Sequence, residues 1–474
     1  MVGYSGWSYR PYKPLLWNSG DIYVCRVAPE KNSIHLEWLP VGPVEYSIFY
    51  RDRTVEKGFL LAGTTAADQF DITGLDSDTD YEFFVSAQEK KSRIRLARTG
   101  HFLGSLVNYL HPDDDVYSFS GRCLCSPSLV RHPDGYLLAS MDLYSGGFPQ
   151  NLTLIYRSDD NGASWHYVSE LMPCFWGKLF IHNGDLYMLA CSTGYGDLLI
   201  GRSTDGGKTF GTPTVLLRGS NGKKGVNGIH KNPQNLVVYN NRLYETLEWG
   251  NWINEEYYHA AMVMSCHVED DLLVPENWHF SQPLKHDPNW EGLTKGPHKG
   301  TIEGTLCVAP DGKLYNVMRF NTTLGCDPLY GVVPAFRVNT DDPDAPLEYS
   351  HGIQLPCNHT KFMIKFDSVS QRYYCIGNRI LSPAHYGKRD VLTLFTSRDM
   401  RNWEVLLDII DMHEENGTNN KIGFQYCDFE FDGEDIIFLC RTCMNNGDSF
   451  HNTNASTFHR IQAFRTLLHR RDML

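Results

Sequence analysis

Two charged residues stand on apolar runs at one end of a single hairpin. Residues 300–308 carry Glu303 and residues 316–321 carry Arg319, and the Asp311-Gly312 turn folds the two runs antiparallel. An apolar strand has little reason to hold a carboxylate or a guanidinium unless it faces a ligand or a partner. Residues 386–394 carry Arg389 in a similar setting, with Arg379 in Gly377-Asn378-Arg379 as a competing candidate, and residues 423–429 carry Tyr426 and Asp428. His230, Glu248, Trp249, His298, Asp142 and Arg122 stand beside other apolar runs. A phenol beside a carboxylate is a nucleophile beside a base. Arginine forks grip a carboxylate in a way that lysine does not reproduce. Histidine can serve as acid or base near neutrality.

These residues have to be positioned by hairpins, and one hairpin pattern recurs six times. It turns at Pro133-Asp134-Gly135, Asn183-Gly184, Asn240-Asn241, Asp311-Gly312, the weaker Asp367-Ser368-Val369-Ser370, and Asp432-Gly433. Most copies place an apolar run, a tight turn and a second apolar or aromatic run in succession, the strongest short-range hairpin signal. A recurrence every 50–70 residues or so predicts a propeller, and six copies predict six blades. Such a ring offers a funnel at one end of its central channel, lined by the inner strands.

The composition narrows the partners. A net charge of −13 argues against nucleic acid or an anionic membrane, and no apolar run is long enough to span a bilayer. The first seventeen residues lack the pattern of a signal peptide. Thirteen cysteines form no disulfide framework and no metal-ligand spacing. Cys440 and Cys443 make the only C-x-x-C, with Arg441 inside it on a predicted strand. Buried free thiols in a reduced, cytoplasmic setting are expected, with no metal and no cofactor. Nothing in the sequence specifies an oligomeric state.

The expected organisation is all-β: a lead-in at 1–19, a small β-sandwich at 20–99 and a six-bladed propeller at 100–474. Within the sandwich, Trp38 on an inner strand, Leu75 and Tyr81 resemble the pattern of a fibronectin type III domain, with Tyr81 in the place of its corner tyrosine.

In the propeller, residues 158–165 and 203–210 share the pattern S-x-D-x-G-x-[ST]-aromatic, and residues 397–403 are a shortened copy. These resemble the Asp boxes of the sialidase superfamily, which are structural markers there. The resemblance implies that Tyr426 is a nucleophile partnered by Glu303, and that Arg319 and Arg389 grip a substrate carboxylate. It implies an exo-acting glycoside hydrolase that releases a terminal acidic sugar, sialic acid or a related one, with retention. The chain departs from the family twice. Cys125 stands where the first arginine is expected, with Arg122 three residues earlier, and Gln150 stands where the acid is expected. Asp142 is a further catalytic candidate, although it matches a different family position, and His230 or His298 could supply the acid/base role. Trp176 and Trp249 could stack on sugar rings. Two other readings of the residues are a polysaccharide lyase acting on uronates and a propeller that binds glycans without turnover.

Overall fold

The structure, a computed structural model, describes residue 7 and residues 21–55, 57–220, 225–253 and 258–471. Apart from Trp7, the lead-in segment lies outside the described residues.

Alternating apolar residues build a two-sheet sandwich first. Val24–Pro29, Ser33–Trp38 and Gln69–Thr73 form one sheet. Tyr46–Asp52 pairs with Leu60–Thr65 and Asp80–Ala87 in the other. Ile34, Leu36, Trp38, Ile48, Ile72, Phe83 and Val85 fill the space between the sheets. Tyr81 Oη accepts the Asp76 amide at 2.9 Å.

Six antiparallel units follow, five of four strands and the third of five because its first strand is split, and each of the six predicted turns joins the first strand of a unit to the second. The inner strands are Cys123–Arg131, Phe175–His182, the split pair Gly228–His230 and Val237–Tyr239, His298–Val308, Met363–Asp367 and Gly423–Asp432. This is a six-bladed β-propeller. The outermost strand of blade six is Ser105–Tyr109, which comes from before blade one and pairs with Ala455–Ile461. The ring is thereby closed by joining the two ends of the propeller's chain.

The turns carrying the repeated Ser/Asp pattern lie between the third and fourth strands of blades one, two and five. In each complete copy an aspartate accepts two bonds from the residue four positions on, 2.9 and 2.6 Å at Asp160 and the same at Asp205.

The sandwich is tied to the propeller through Glu37. Its carboxylate takes Arg26 Nη1 at 2.9 Å and the Tyr167 amide of blade one at 3.0 Å, while Arg26 also donates to Val107 O and Leu106 O. Burial alone would raise this carboxyl, but the His35 hydrogen bond, the Arg26 charge and the Tyr167 amide bring it down to about 2. Its stabilisation is therefore complete above the ordinary carboxylate range and is lost as pH falls toward 2. Thermal unfolding between pH 5 and 2 should show Glu37→Gln less stable than wild type at pH 5, with the difference shrinking toward pH 2. A constant difference across that range would count against this linkage.

Candidate functional site

The inner strands do not run regularly to the funnel. Pairing slips between Cys125 and Ser128, Phe175 and Lys178, Ile302 and Gly304, and Gln425 and Asp428. At each slip one non-glycine residue adopts the left-handed conformation: Ser126 (φ 49°), Trp176 (55°), Glu303 (57°) and Tyr426 (58°). Such a conformation costs about 1–3 kcal/mol per residue. A bulge breaks the in–out alternation of a strand and re-aims one side chain. Four blades spend that strain at the same level of the channel, and it is there that the candidate chemistry gathers.

Glu303 and Tyr426 meet directly. Tyr426 Oη donates to Glu303 Oε1 at 2.6 Å, and Arg319 Nη1 donates to Glu303 Oε2 at 2.8 Å and to Tyr426 Oη at 3.0 Å. Burial opposes ionisation of Glu303, yet the charges of Arg319 and His230 and the bonds from Tyr426 and Arg319 hold its carboxyl below the usual range. Burial and the Glu303 charge raise the Tyr426 phenol, outweighing Arg319, Arg389 and Arg441. The resting pair is thus a neutral phenol donating to a carboxylate, the arrangement a base-activated oxygen nucleophile needs.

Two more guanidinium groups flank the phenol. The central carbons of Arg389 and Arg441 lie 5.6 and 5.2 Å from the Tyr426 ring centre. Both arginines are buried, and among the described residues neither is in an ion pair. Arg389 donates to Gln425 Oε1, and its Nε is buried without a hydrogen-bond partner. Burial beside Arg319 and Arg441 lowers Arg389 to about 10. Buried cations without counter-ions are costly unless an anion arrives to pair them.

Arg441 is the functional candidate that sequence reasoning passed over. It sits on the second strand of blade six, Asp435–Cys443, paired with Gln425 just before the bulge. Its available signal was a lone guanidinium directly after the apolar run 436–440, which reads equally as part of the C-x-x-C. All thirteen cysteines are buried and free.

Across the channel stands a wall of imidazoles and aromatics. His230 Nδ1 bonds Glu248 Oε2 at 2.6 Å, and Glu248 Oε1 accepts the Gly304 amide at 3.2 Å, so His230 is coupled to the strand that carries Glu303. Gly304 has to be glycine, because a Cβ there would lie 2.1 Å from Asn316 Oδ1 and 2.6 Å from Thr246 Oγ1. The Trp176 ring centre is 4.3 Å from that of His230, and Tyr195 Oη bonds His259 Nε2 at 2.9 Å. Burial and the neighbouring His230 push His259 well below the usual imidazole range, which keeps it neutral.

The remaining sequence candidates are placed elsewhere. Asp142 lies behind the site, fully buried, taking the Thr153 hydroxyl at 2.5 Å and the Trp176 amide at 2.6 Å. Desolvation raises it to about 7 against the bonds from Thr153, Ser126 and Trp176. Asp428 lies in the channel core, bonded to Lys178 Nζ at 2.5 Å and to the Leu129 amide at 2.7 Å. Arg379 pairs with Asp408 on the outer strand of blade five. Arg122 is exposed, its guanidinium 5.7 Å from the Phe148 ring centre. His298 packs at the rim, 4.3 Å from His286 and 5.1 Å from Phe320, and Trp249 packs against the blade-three core.

A cavity of about 870 Å³ opens at the opposite, hairpin end, lined by Lys178, Phe180, Val308, Lys365 and Phe431 among others. It holds none of the residues around Tyr426.

No protein-family model and no curated protein matches the sequence. Solved structures do. An α-L-arabinanase of Penicillium chrysogenum complexed with arabinobiose is 14% identical, with a TM-score of 0.51 over 76% of this chain and 98% of its own. A mutant α-L-arabinofuranosidase of Fusarium graminearum with an iminosugar inhibitor is 12% identical, with a TM-score of 0.52 over 76% of this chain and 97% of its own. At this identity the likeness shows the propeller fold and does not single out the sialidase superfamily.

Proposed function

We propose that the protein is an exo-acting glycoside hydrolase that releases a terminal acidic sugar with retention. The observation that carries this reading is the Tyr426–Glu303 hydrogen bond at 2.6 Å flanked by two buried arginines that form no ion pair among the described residues. Glu303 takes the phenolic proton and Tyr426 Oη attacks the anomeric carbon. The bond to the leaving oxygen breaks as that oxygen receives a proton, giving a covalent glycosyl-enzyme. Arg319, Arg389 and Arg441 receive the sugar's carboxylate, which completes the charge balance of the cluster. His230 is the proton donor, oriented by Glu248, and among the described residues its Nε2 makes no hydrogen bond. Water then attacks the anomeric carbon, and the proton steps reverse.

The arabinose-releasing neighbours share this fold, but a neutral pentose gives the arginines no counter-charge. That favours an acidic sugar here. The test is an aryl-glycoside panel that includes a sialoside and a glucuronide, followed by a fluorinated glycosyl fluoride of whichever acidic sugar is cleaved. A mass increase of one glycosyl residue on the peptide containing Tyr426 is expected. Turnover without any such adduct would overturn the covalent route.

A second reading draws on the Tyr195–His259 pair, a phenol and a neutral imidazole 2.9 Å apart. In a polysaccharide lyase the arginines would neutralise a uronate while such a pair removes the proton α to the carboxylate. Ultraviolet absorbance from unsaturated uronate on acidic polysaccharides, with silence on the aryl glycosides, would select that reading. Affinity without either reaction would select a binding propeller.

A further inference from the structure

One large aromatic at the funnel rim is left in solvent on a turn built to hold it there. Trp252 is 42% exposed and follows directly from the funnel end of the second strand of blade three, Arg242–Gly250. The preceding Asn251 is buried and bonds Asn227 at 2.5 Å, and its Oδ1 accepts the Ile253 amide at 2.7 Å. The turn is thereby pinned to the neighbouring loop before the strand Gly228–His230. Beside Trp252, Ile253 and Val226 are 51% and 47% exposed. Three exposed apolar side chains together, on a turn anchored by a buried asparagine, leave a patch that folding alone does not require.

Its position defines what it faces. The Trp252 ring centre is 4.5 Å from His259, and His259 is 5.0 Å from His230. Trp252 thus stands outward of the proposed proton donor, on the imidazole side of the channel, whereas the arginines are grouped around Tyr426. A substrate whose acidic sugar sits on the arginines, with its scissile oxygen at His230, would direct its leaving group along this wall. The wall offers the aromatic faces of Trp252, Trp176 and Tyr195, which suits a neutral pyranose ring with one apolar face.

We infer that Trp252, with Ile253 and Val226, forms a leaving-group subsite for a neutral sugar ring. This rests on the hydrolase reading for its orientation, so the test separates the two. Wild type, Trp252→Ala and Trp252→Phe would be compared on a disaccharide of the acidic sugar with a neutral hexose and on its methyl glycoside. Trp252→Ala should lower kcat/KM for the disaccharide about tenfold, leave the methyl glycoside within about twofold, and be largely rescued by Trp252→Phe. Equal losses on both substrates, or none on the disaccharide, would overturn the subsite.

Saturation-transfer NMR on the full chain with methyl β-galactopyranoside and methyl β-glucopyranoside reads the same contact without turnover. Transfer to at least one glycoside that disappears in Trp252→Ala supports the subsite even if wild type cleaves neither substrate, in which case the hydrolase reading alone fails. No transfer in wild type counts against the subsite.

Discussion

Tyr426→Phe should lower kcat on an aryl glycoside of the acidic sugar by about 10⁴-fold or more, since the attacking oxygen is removed and nothing nearby replaces it. Glu303→Gln should lose about 10²–10⁴-fold, the usual range for a proton-transfer group. The smaller loss follows because the phenol remains and Gln keeps one of the two acceptor oxygens that Arg319 and Tyr426 use. The wild-type pH profile carries a further signature. Against the opposing effect of burial, Arg319 and His230 hold Glu303 below the usual carboxylate range, so the acid limb of kcat/KM that belongs to the base should lie on the acid side of that of an ordinary glutamate. The Tyr426 phenol is raised rather than lowered. Activity should therefore not depend on a free phenolate and should show no rise toward pH 9 from that source. A Glu303→Gln variant within tenfold of wild type would remove the base from this mechanism, and the covalent-adduct experiment would then decide whether Tyr426 attacks unaided.

The largest effect on stability is expected at Asp428, two residues beyond Tyr426. Its carboxylate and the Lys178 ammonium are both buried, 2.5 Å apart, and the Leu129 amide donates to the same oxygen. Burial opposes its ionisation, but Lys178, Lys361 and Lys365 keep it charged. Asp428→Ala strands a buried lysine and an amide together, at a cost of about 3–5 kcal/mol. In a chain of this size that corresponds to a fall in Tm of roughly 3–5 °C. Asp428→Asn keeps an acceptor for Leu129 and should recover part of the loss. Lys178→Met with Asp428→Leu removes both charges and should recover most of it, because the penalty belongs to the unpaired charge. If Asp428 contacted substrate instead, Asp428→Asn would change KM while leaving Tm in place, and differential scanning calorimetry beside steady-state kinetics tells these apart.

The same channel explains how the bulges are held. Lys231 Nζ donates to Trp176 O at 3.1 Å and Lys361 Nζ to Cys427 O at 3.3 Å, while Asp142 takes the Trp176 amide. Backbone groups released by the slipped pairing are thus satisfied by buried charges from neighbouring blades. Asp142, a catalytic candidate from the sequence, is placed to orient Trp176 and through it the face of His230.

What the sequence by itself determined is local. Each inner hairpin is written within about eight residues as a turn between apolar runs, so blade count and the placing of Glu303 and Arg319 at one hairpin end were legible from spacing alone. The Ser/Asp turns and the Tyr81 corner were legible for the same reason, since their bonds span only four or five residues. Ring closure through Ser105–Tyr109 was not, because it joins segments about 350 residues apart. Nor were the bulges at Trp176, Glu303 and Tyr426, since the residues that take the left-handed conformation are not glycines and the bulges are held by lysines and carboxylates from other blades. Arg441 gained its meaning only when the bulge at Tyr426 brought the phenol ring to its guanidinium. His230 gained its meaning when Glu248 tied it to the amide next to Glu303. Contacts within a hairpin follow from chain connectivity, but contacts across the channel depend on how six blades close around it, and only the tertiary structure decides that.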